Sequence, residues 1–244
     1  MDPLPTFSPA VAESWALPTA DEIDRIDEDA RSGVLVRIDR AREEAVSYLR
    51  LVGGSGALVL SAAGAEALSV EGGERLAPAE VEQRIHRAGI PMHDPDRVHH
   101  LPLDVHAEVR AERPLAGVRR LTADDADLFA SFVAEAPPDD LDDAFVELDH
   151  WLVAGAVRDG RLVSVASMYP WRGTGTADLG VITLPDSRGR GLARATVRAI
   201  SALALQQGYE PQYRCQLDNA ASLALARGSG FRALGDWSVS RPTA

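Results

Sequence analysis

No lysine occurs in this chain of 244 residues; all 25 basic side chains are arginine. The chain therefore carries no side-chain ammonium of its own, which excludes modification of itself at lysine. Cysteine is nearly as scarce. Cys215 stands alone, so no internal disulfide can form, and no Cys/His spacing resembles a zinc site, which agrees with a reducing compartment and no bound metal. No segment approaches the roughly 18 uninterrupted apolar residues that a membrane span needs. The start of the chain, Met1-Asp2-Pro3-Leu4-Pro5, is acidic and proline-bearing and lacks the basic, apolar, small-residue order of a secretory signal. A cytoplasmic protein without a membrane partner is expected. Positive charge is also in deficit: 25 basic residues face 37 acidic ones, a net charge of -12. A nucleic-acid backbone would be repelled overall, whereas a cationic amine would be mildly attracted.

What is present is an ordinary globular composition, 45% hydrophobic and 25% charged. The pattern is clearest from residue 116 onward. Thr122 reads as a helix N-cap with Asp124 and Asp125 in the first turn, opening a helix to about Ala134. Pro137-Pro138 breaks it, and apolar residues at 141, 144, 145 and 148 predict a helix over 141–148. The apolar runs 151–157 and 162–168 flank Arg158-Asp159-Gly160-Arg161, and an Asp-Gly pair in that setting predicts a β-hairpin. A strand over 177–184, a helix over 189–207 stopped by Gly208, a strand over 211–217, a helix over 220–227 and a strand over 231–239 follow. This order predicts an α/β (α+β) architecture, a mixed sheet covered by helices.

Residues 1–115 read as a smaller α+β domain, with strands at 33–38 and 57–61 and helices at 40–51, 62–69 and 78–88. The charged run 108–113 and Pro114 suit a boundary before a second domain at 116–244. His93, Asp94, Asp96, His99 and His100 have conceivable metal chemistry but match no ligand spacing, and a polar loop before a strand-like 98–103 accounts for them.

The segment that carries chemistry is Thr183-Leu184-Pro185-Asp186-Ser187-Arg188-Gly189-Arg190-Gly191-Leu192-Ala193. A strand ends at proline, a short turn follows, and two glycines open a helix. Free backbone N–H groups at a helix start hold a pyrophosphate without needing a cationic side chain, and glycines let the phosphates approach. The turn Arg188, Gly189, Arg190, Gly191, Leu192 and Ala193 resembles the Arg/Gln-x-x-Gly-x-Gly/Ala signature of the GNAT superfamily of N-acetyltransferases. Downstream, Asn219-x-x-Ser222 and Gly230-Phe231 resemble the family's second signature.

The resemblance covers about residues 116–244 and implies a GNAT-like, mostly antiparallel sheet flanked by helices. It also implies acetyl-CoA as acyl donor and direct transfer to a primary amine of a small molecule or peptide. Asn219 and Ser222 would then sit beside the pantetheine arm or the phosphates; Asn219 also suits a plain helix cap. Val181, Ile182 and Thr183 occupy the place where the family's fourth strand splays from the fifth and offers main-chain donors to the thioester carbonyl. Many family members carry a tyrosine, where this chain has Ala226, to protonate the departing thiolate; Tyr169 and Tyr213 are the remaining donors. Asp178 and Glu147 are the carboxylates placed to act as general base, and His150 is a further candidate. The missing tyrosine leaves a second reading, a module that binds acyl-CoA without turnover. Trp151, Trp171 and Trp237 fit either a cleft or the core, Cys215 fits a buried strand position, and a symmetric homodimer is the commonest oligomer.

Overall fold

The computed structural model describes residues 6–18 and 33–242; the Met1 to Pro5 segment read above lies outside them. In chain order the elements are α1 (Pro9–Ser14), β1 (Val34–Ile38), β2 (Val46–Leu51), β3 (Gly56–Leu60), α2 (Ala62–Leu68), β4 (Arg75–Leu76), α3 (Pro78–Arg87), β5 (Asp96–His100), α4 (Leu103–Ala111), β6 (Val118–Arg120), α5 (Ala126–Glu135), α6 (Pro138–Ala144), β7 (Leu152–Arg158), β8 (Arg161–Pro170), β9 (Thr176–Thr183), α7 (Leu192–Gln206), β10 (Glu210–Gln216), α8 (Ala220–Gly228) and β11 (Arg232–Val239). Single 3-10 turns precede α5 and follow β9.

Two compact units divide the chain, and neither matches the expected boundary at 115/116. One holds the described residues up to Val11, with His99–Arg214 and Ala220–Arg232; the other holds the described residues from Ala12 to Val98, with Cys215–Asn219 and those from Ala233 on. Two local facts explain the difference. The charged run 108–113 is mostly helix: α4 carries Asp104 in its first turn, Arg110 in its last and Val109 buried, and it packs on α7. At the far end, β11 pairs antiparallel with β2, Gly235 facing Leu51 and Val239 facing Ser47.

In the first unit the strand order is β10-β9-β8-β7-β6, antiparallel except for the parallel β9–β10 pair. The hairpin between β7 and β8 turns where expected, with positive φ at both Asp159 (50°) and Gly160 (77°), the signature of a type I′ turn that matches strand twist. Helix α7 lies on β6 to β9, with Leu192, Val163, Ala156 and Val118 in its contact. Helix α5 packs against β8 through a cluster centred on Phe132, Val165 and Ile182. The Thr122 cap appears as a capping box, Thr122 N–H donating to Asp125 at 3.0 Å. The helix expected over 141–148 instead occupies Pro138–Ala144, because Pro138 suits the first turn and Phe145 leaves it with φ 46°.

The second unit orders its strands β4-β1-β3-β2-β11 over a core of Val34, Val36, Tyr48, Leu58, Leu60, Val81 and Ile85. The helix expected over 40–51 is a turn followed by strand β2. Helix-favouring Ala41-Arg42-Glu43-Glu44-Ala45 is overridden because Val46 to Leu49 are all buried between two strand partners. Trp237 on β11 is buried, donating its indole N–H to Ser47 Oγ at 2.9 Å. The strand-like 98–103 is β5 at Asp96–His100, cut short by Pro102 at the start of α4, so His99 and His100 are core residues.

His100 is fully buried, its Nδ1 donating to the Pro211 carbonyl at 3.1 Å and its ring edge-on to Phe7. Burial pushes its pKa down to about 3, with adjacent His99 in the same direction and the carbonyl contact opposing. The folded chain thus refuses a proton that the unfolded chain accepts near pH 6.5. Stability is complete above pH 6.5 and falls as pH drops from there toward 3, by at most about 5 kcal/mol. Denaturant unfolding at pH 7 and pH 5 should show this loss, and His100→Gln should flatten the slope.

Candidate active site

Strands β9 and β10 run parallel and in register only from Thr176/Glu210 to Leu179/Tyr213. Beyond that point β9 continues to Thr183, paired on its other side with β8 through Val181–Ala166, Ile182–Val165 and Thr183–Ser164. The edge of β9 turned from β8 therefore has no β10 register partner from Gly180 to Thr183. Alternate main-chain N–H groups along that edge lack a ladder acceptor and face the fork between the strands.

The fork is held at its base by side chains. Asp178, directly opposite Gln212, is 5% exposed and accepts from Gln212 Nε2 at 2.9 Å, from Arg214 at 2.7 to 3.2 Å, and from the Tyr169 hydroxyl at 3.2 Å. Arg214 in turn lies over the Trp171 ring, 4.5 Å from its centroid. Burial and the Asp178 carboxylate push the Tyr169 hydroxyl up to about 12, which keeps it a donor. A carboxylate offers about four lone-pair positions, and these donors occupy them all. The geometry therefore gives Asp178, expected as a base, the work of joining two strands.

Glu147 and His150 lie against Ser167 of β8, the register partner of Gly180 on β9. Gly180 makes this possible: a Cβ there would sit 1.7 Å from the Ala144 carbonyl oxygen, so only glycine lets the end of α6 lie against the strand. His150 Nδ1 is 2.8 Å from Ser167 Oγ, and its Nε2 is 3.5 Å from the half-exposed Glu147 carboxylate. Burial pushes the His150 pKa below its ordinary value, while Glu147 and Asp149 pull it back. Its ring meets Phe145 edge-on and Tyr169 at a tilt, 5.0 and 5.1 Å between centroids.

After β9, the chain turns into α7 through Pro185–Ser187 and two glycines, Gly189 at φ 73° and Gly191 at φ 74°. Neither would bring a Cβ within 4 Å of another atom, so the turn faces open space. No side chain caps the helix start, and its first N–H groups have no intrahelical acceptor. Leu192 anchors the turn in the core. Arg188 braces the turn: its Nε donates to the Thr183 carbonyl at 3.0 Å and its guanidinium pairs with Asp140 at 2.5 Å. Arg190 is exposed and Ala193 half-buried.

Ser222, on α8, lies 3.0 Å from the hydroxyl of Tyr213, the last β10 residue paired with β9. Asn219, just before α8, groups with the other unit. Ala226 is fully buried. The Tyr213–Ser222 hydroxyl pair was not singled out as a unit from sequence; its signal was a tyrosine in β10 nine residues before the Asn-x-x-Ser serine.

Residues 118–231 match the family model described as the acetyltransferase (GNAT) family. This segment is a GNAT domain. No curated protein matches the chain. Among solved structures, the chain resembles a GNAT-family protein from Novosphingobium aromaticivorans at 22% identity and TM-score 0.49, covering 62% of this chain and 64% of that one. It resembles a GNAT-family acetyltransferase from Colwellia psychrerythraea at 16% identity and TM-score 0.49, covering 68% and 63%. A ribosomal-protein-alanine N-acetyltransferase from Brucella melitensis matches at 22% identity and TM-score 0.40, covering 52% of this chain and 99% of that one. The chain thus spans somewhat under two thirds of the length of the first two. Among the described residues no helix is long and apolar enough to cross a membrane, and no cluster of three potential metal ligands occurs.

Asp178→Asn should lower stability by about 3 kcal/mol, since removing one partner strands the Arg214 charge. Denaturant titration measures this. A variant as stable as the parent yet inactive would return Asp178 to the chemistry.

Proposed function

We propose that the GNAT domain transfers an acetyl group from acetyl-CoA to the primary amine of a small molecule or peptide. The observation that carries this reading is the adjoining of an uncapped, glycine-opened helix start to a strand edge that has lost its partner. The backbone donors of Gly189 to Ala193 suit a pyrophosphate. Those along Val181 to Thr183 suit the thioester carbonyl oxygen, which gains charge as the amine attacks.

The amine lone pair adds to the thioester carbon, the carbon–sulfur bond breaks, and the amine proton passes to a base. We assign that base to Glu147 with His150, because both contact Ser167, the β8 partner of Gly180, and Ser167 holds the His150 ring in one orientation. The thiolate takes its proton from the Tyr213–Ser222 hydroxyl pair at the fork, the buried Ala226 offering none. Ser222 would flank the coenzyme arm. Buried Ala226 also supports the second reading, an acyl-CoA binder without turnover.

Stabilisation against heat by CoA is the first expectation, since a ligand bound only by the folded state raises the melting temperature. Gly191→Val should abolish most of it, through a branched side chain in a left-handed backbone facing the phosphates. Unchanged affinity in that variant would refute the turn's assignment. Thiol release from acetyl-CoA across a panel of amines then separates enzyme from binder: tight binding with no acceptor-dependent release across the panel leaves the binder.

A further inference from the structure

Phe145 stands where a phenylalanine costs free energy twice. It ends α6 in the left-handed region, φ 46° and ψ 57°, its N–H donating to the Leu141 carbonyl at 3.1 Å. Glycine is the usual residue where a helix ends in this conformation, and a bulky side chain there is strained. The turn also leaves Phe145 52% exposed, while Ala144, Val146 and Leu148 on either side pack into the cluster around Phe132, Val165 and Ile182. The spacing 141, 144, 145 and 148, continued as helix, would have buried it with them. Strain of this kind gathers at binding sites.

The ring adjoins the assigned base. It lies edge-on to His150 at 5.0 Å and to Tyr169 at 5.8 Å between centroids. Both neighbours are fixed, His150 by Ser167 at 2.8 Å and Tyr169 by donating its hydroxyl to Asp178 at 3.2 Å. The three rings form a preset aromatic corner, and the Glu147 carboxylate beside it is 50% exposed and 3.5 Å from His150 Nε2. Among the described residues no arginine lies within ion-pair distance of Glu147 or Asp149. An apolar ring surface next to uncompensated negative charge matches a ligand with an aromatic body and an ammonium a short chain away. A polyamine would match the charge but not the ring, since tryptophan rather than phenylalanine is the aromatic best suited to a cation. We infer, resting on the acetyl-transfer reading above, that the acceptor is an arylalkylamine and that Phe145 selects it. The aryl ring packs on Phe145 while the amine reaches Glu147 and His150.

Thiol release from acetyl-CoA by the full chain, measured with phenethylamine, hexylamine and diaminobutane, tests this. The parent should show kcat/KM about tenfold higher for phenethylamine than for either aliphatic amine, the scale of one well-packed ring pair. Phe145→Gly should bring that ratio to about one, chiefly through KM, without lowering the melting temperature, because glycine suits the left-handed backbone. Phe145→Tyr should keep the ratio. Equal use of the three amines by the parent, a preference for the diamine, or a ratio that survives Phe145→Gly would overturn the inference and leave acetyl transfer standing. If no amine releases thiol, the transfer reading fails by itself, and calorimetric titration of the CoA-saturated chain with phenethylamine decides the rest. Binding that is lost in Phe145→Gly would sustain the aromatic corner; binding that is absent, or kept in that variant, would overturn it.

Discussion

The Asp178 carboxylate joins β9 to β10 at almost the last register before the two strands separate. Gln212, opposite it, and Arg214, two residues further along β10, both donate to it. A parallel pair is the weaker kind of ladder, and its strands would otherwise part gradually. A buried ion pair with its remaining lone pairs filled fixes where the parting begins. Three features of the domain are placed relative to that point: the open edge of Gly180 to Thr183, the hydroxyl pair at Tyr213, and the Arg188 brace that returns the glycine turn to Thr183.

The same economy explains why Asp178 looked like a base. From sequence it is a carboxylate on the strand leading into the fork, which is also where a proton acceptor would stand. What sequence hides is the donor set, drawn from Tyr169, Gln212 and Arg214 across two neighbouring strands. Arg188 shows the converse. Its motif position suggested contact with an anion, and its side chain meets Asp140, an anion of the protein itself.

Features whose cause is local were legible: the Asp159-Gly160 turn, the Thr122 capping box, the glycines that open α7 and Gly208 at φ 82° that ends it. Features whose cause is distant were not. Strand β2 reads as helix because Ala41 to Ala45 favour one, and only its partners β3 and β11 decide otherwise. The seating of α6 against Gly180 depends on a missing Cβ that no periodicity announces. His150 was visible only as a residue of suitable pKa; its Ser167 and Glu147 partners came from folding.

The pairing of β11 with β2 also sets a timetable for synthesis. As the chain leaves the ribosome, β2 gains β3 almost at once, but its other edge stays open until the residues after Arg232 have been made. During that interval an apolar strand bearing Val46, Tyr48 and Leu49 offers an unpaired row of backbone donors and acceptors. The amino-terminal unit, though translated first, is thus the last to close, and the stretch of chain in between is synthesised while that edge is exposed.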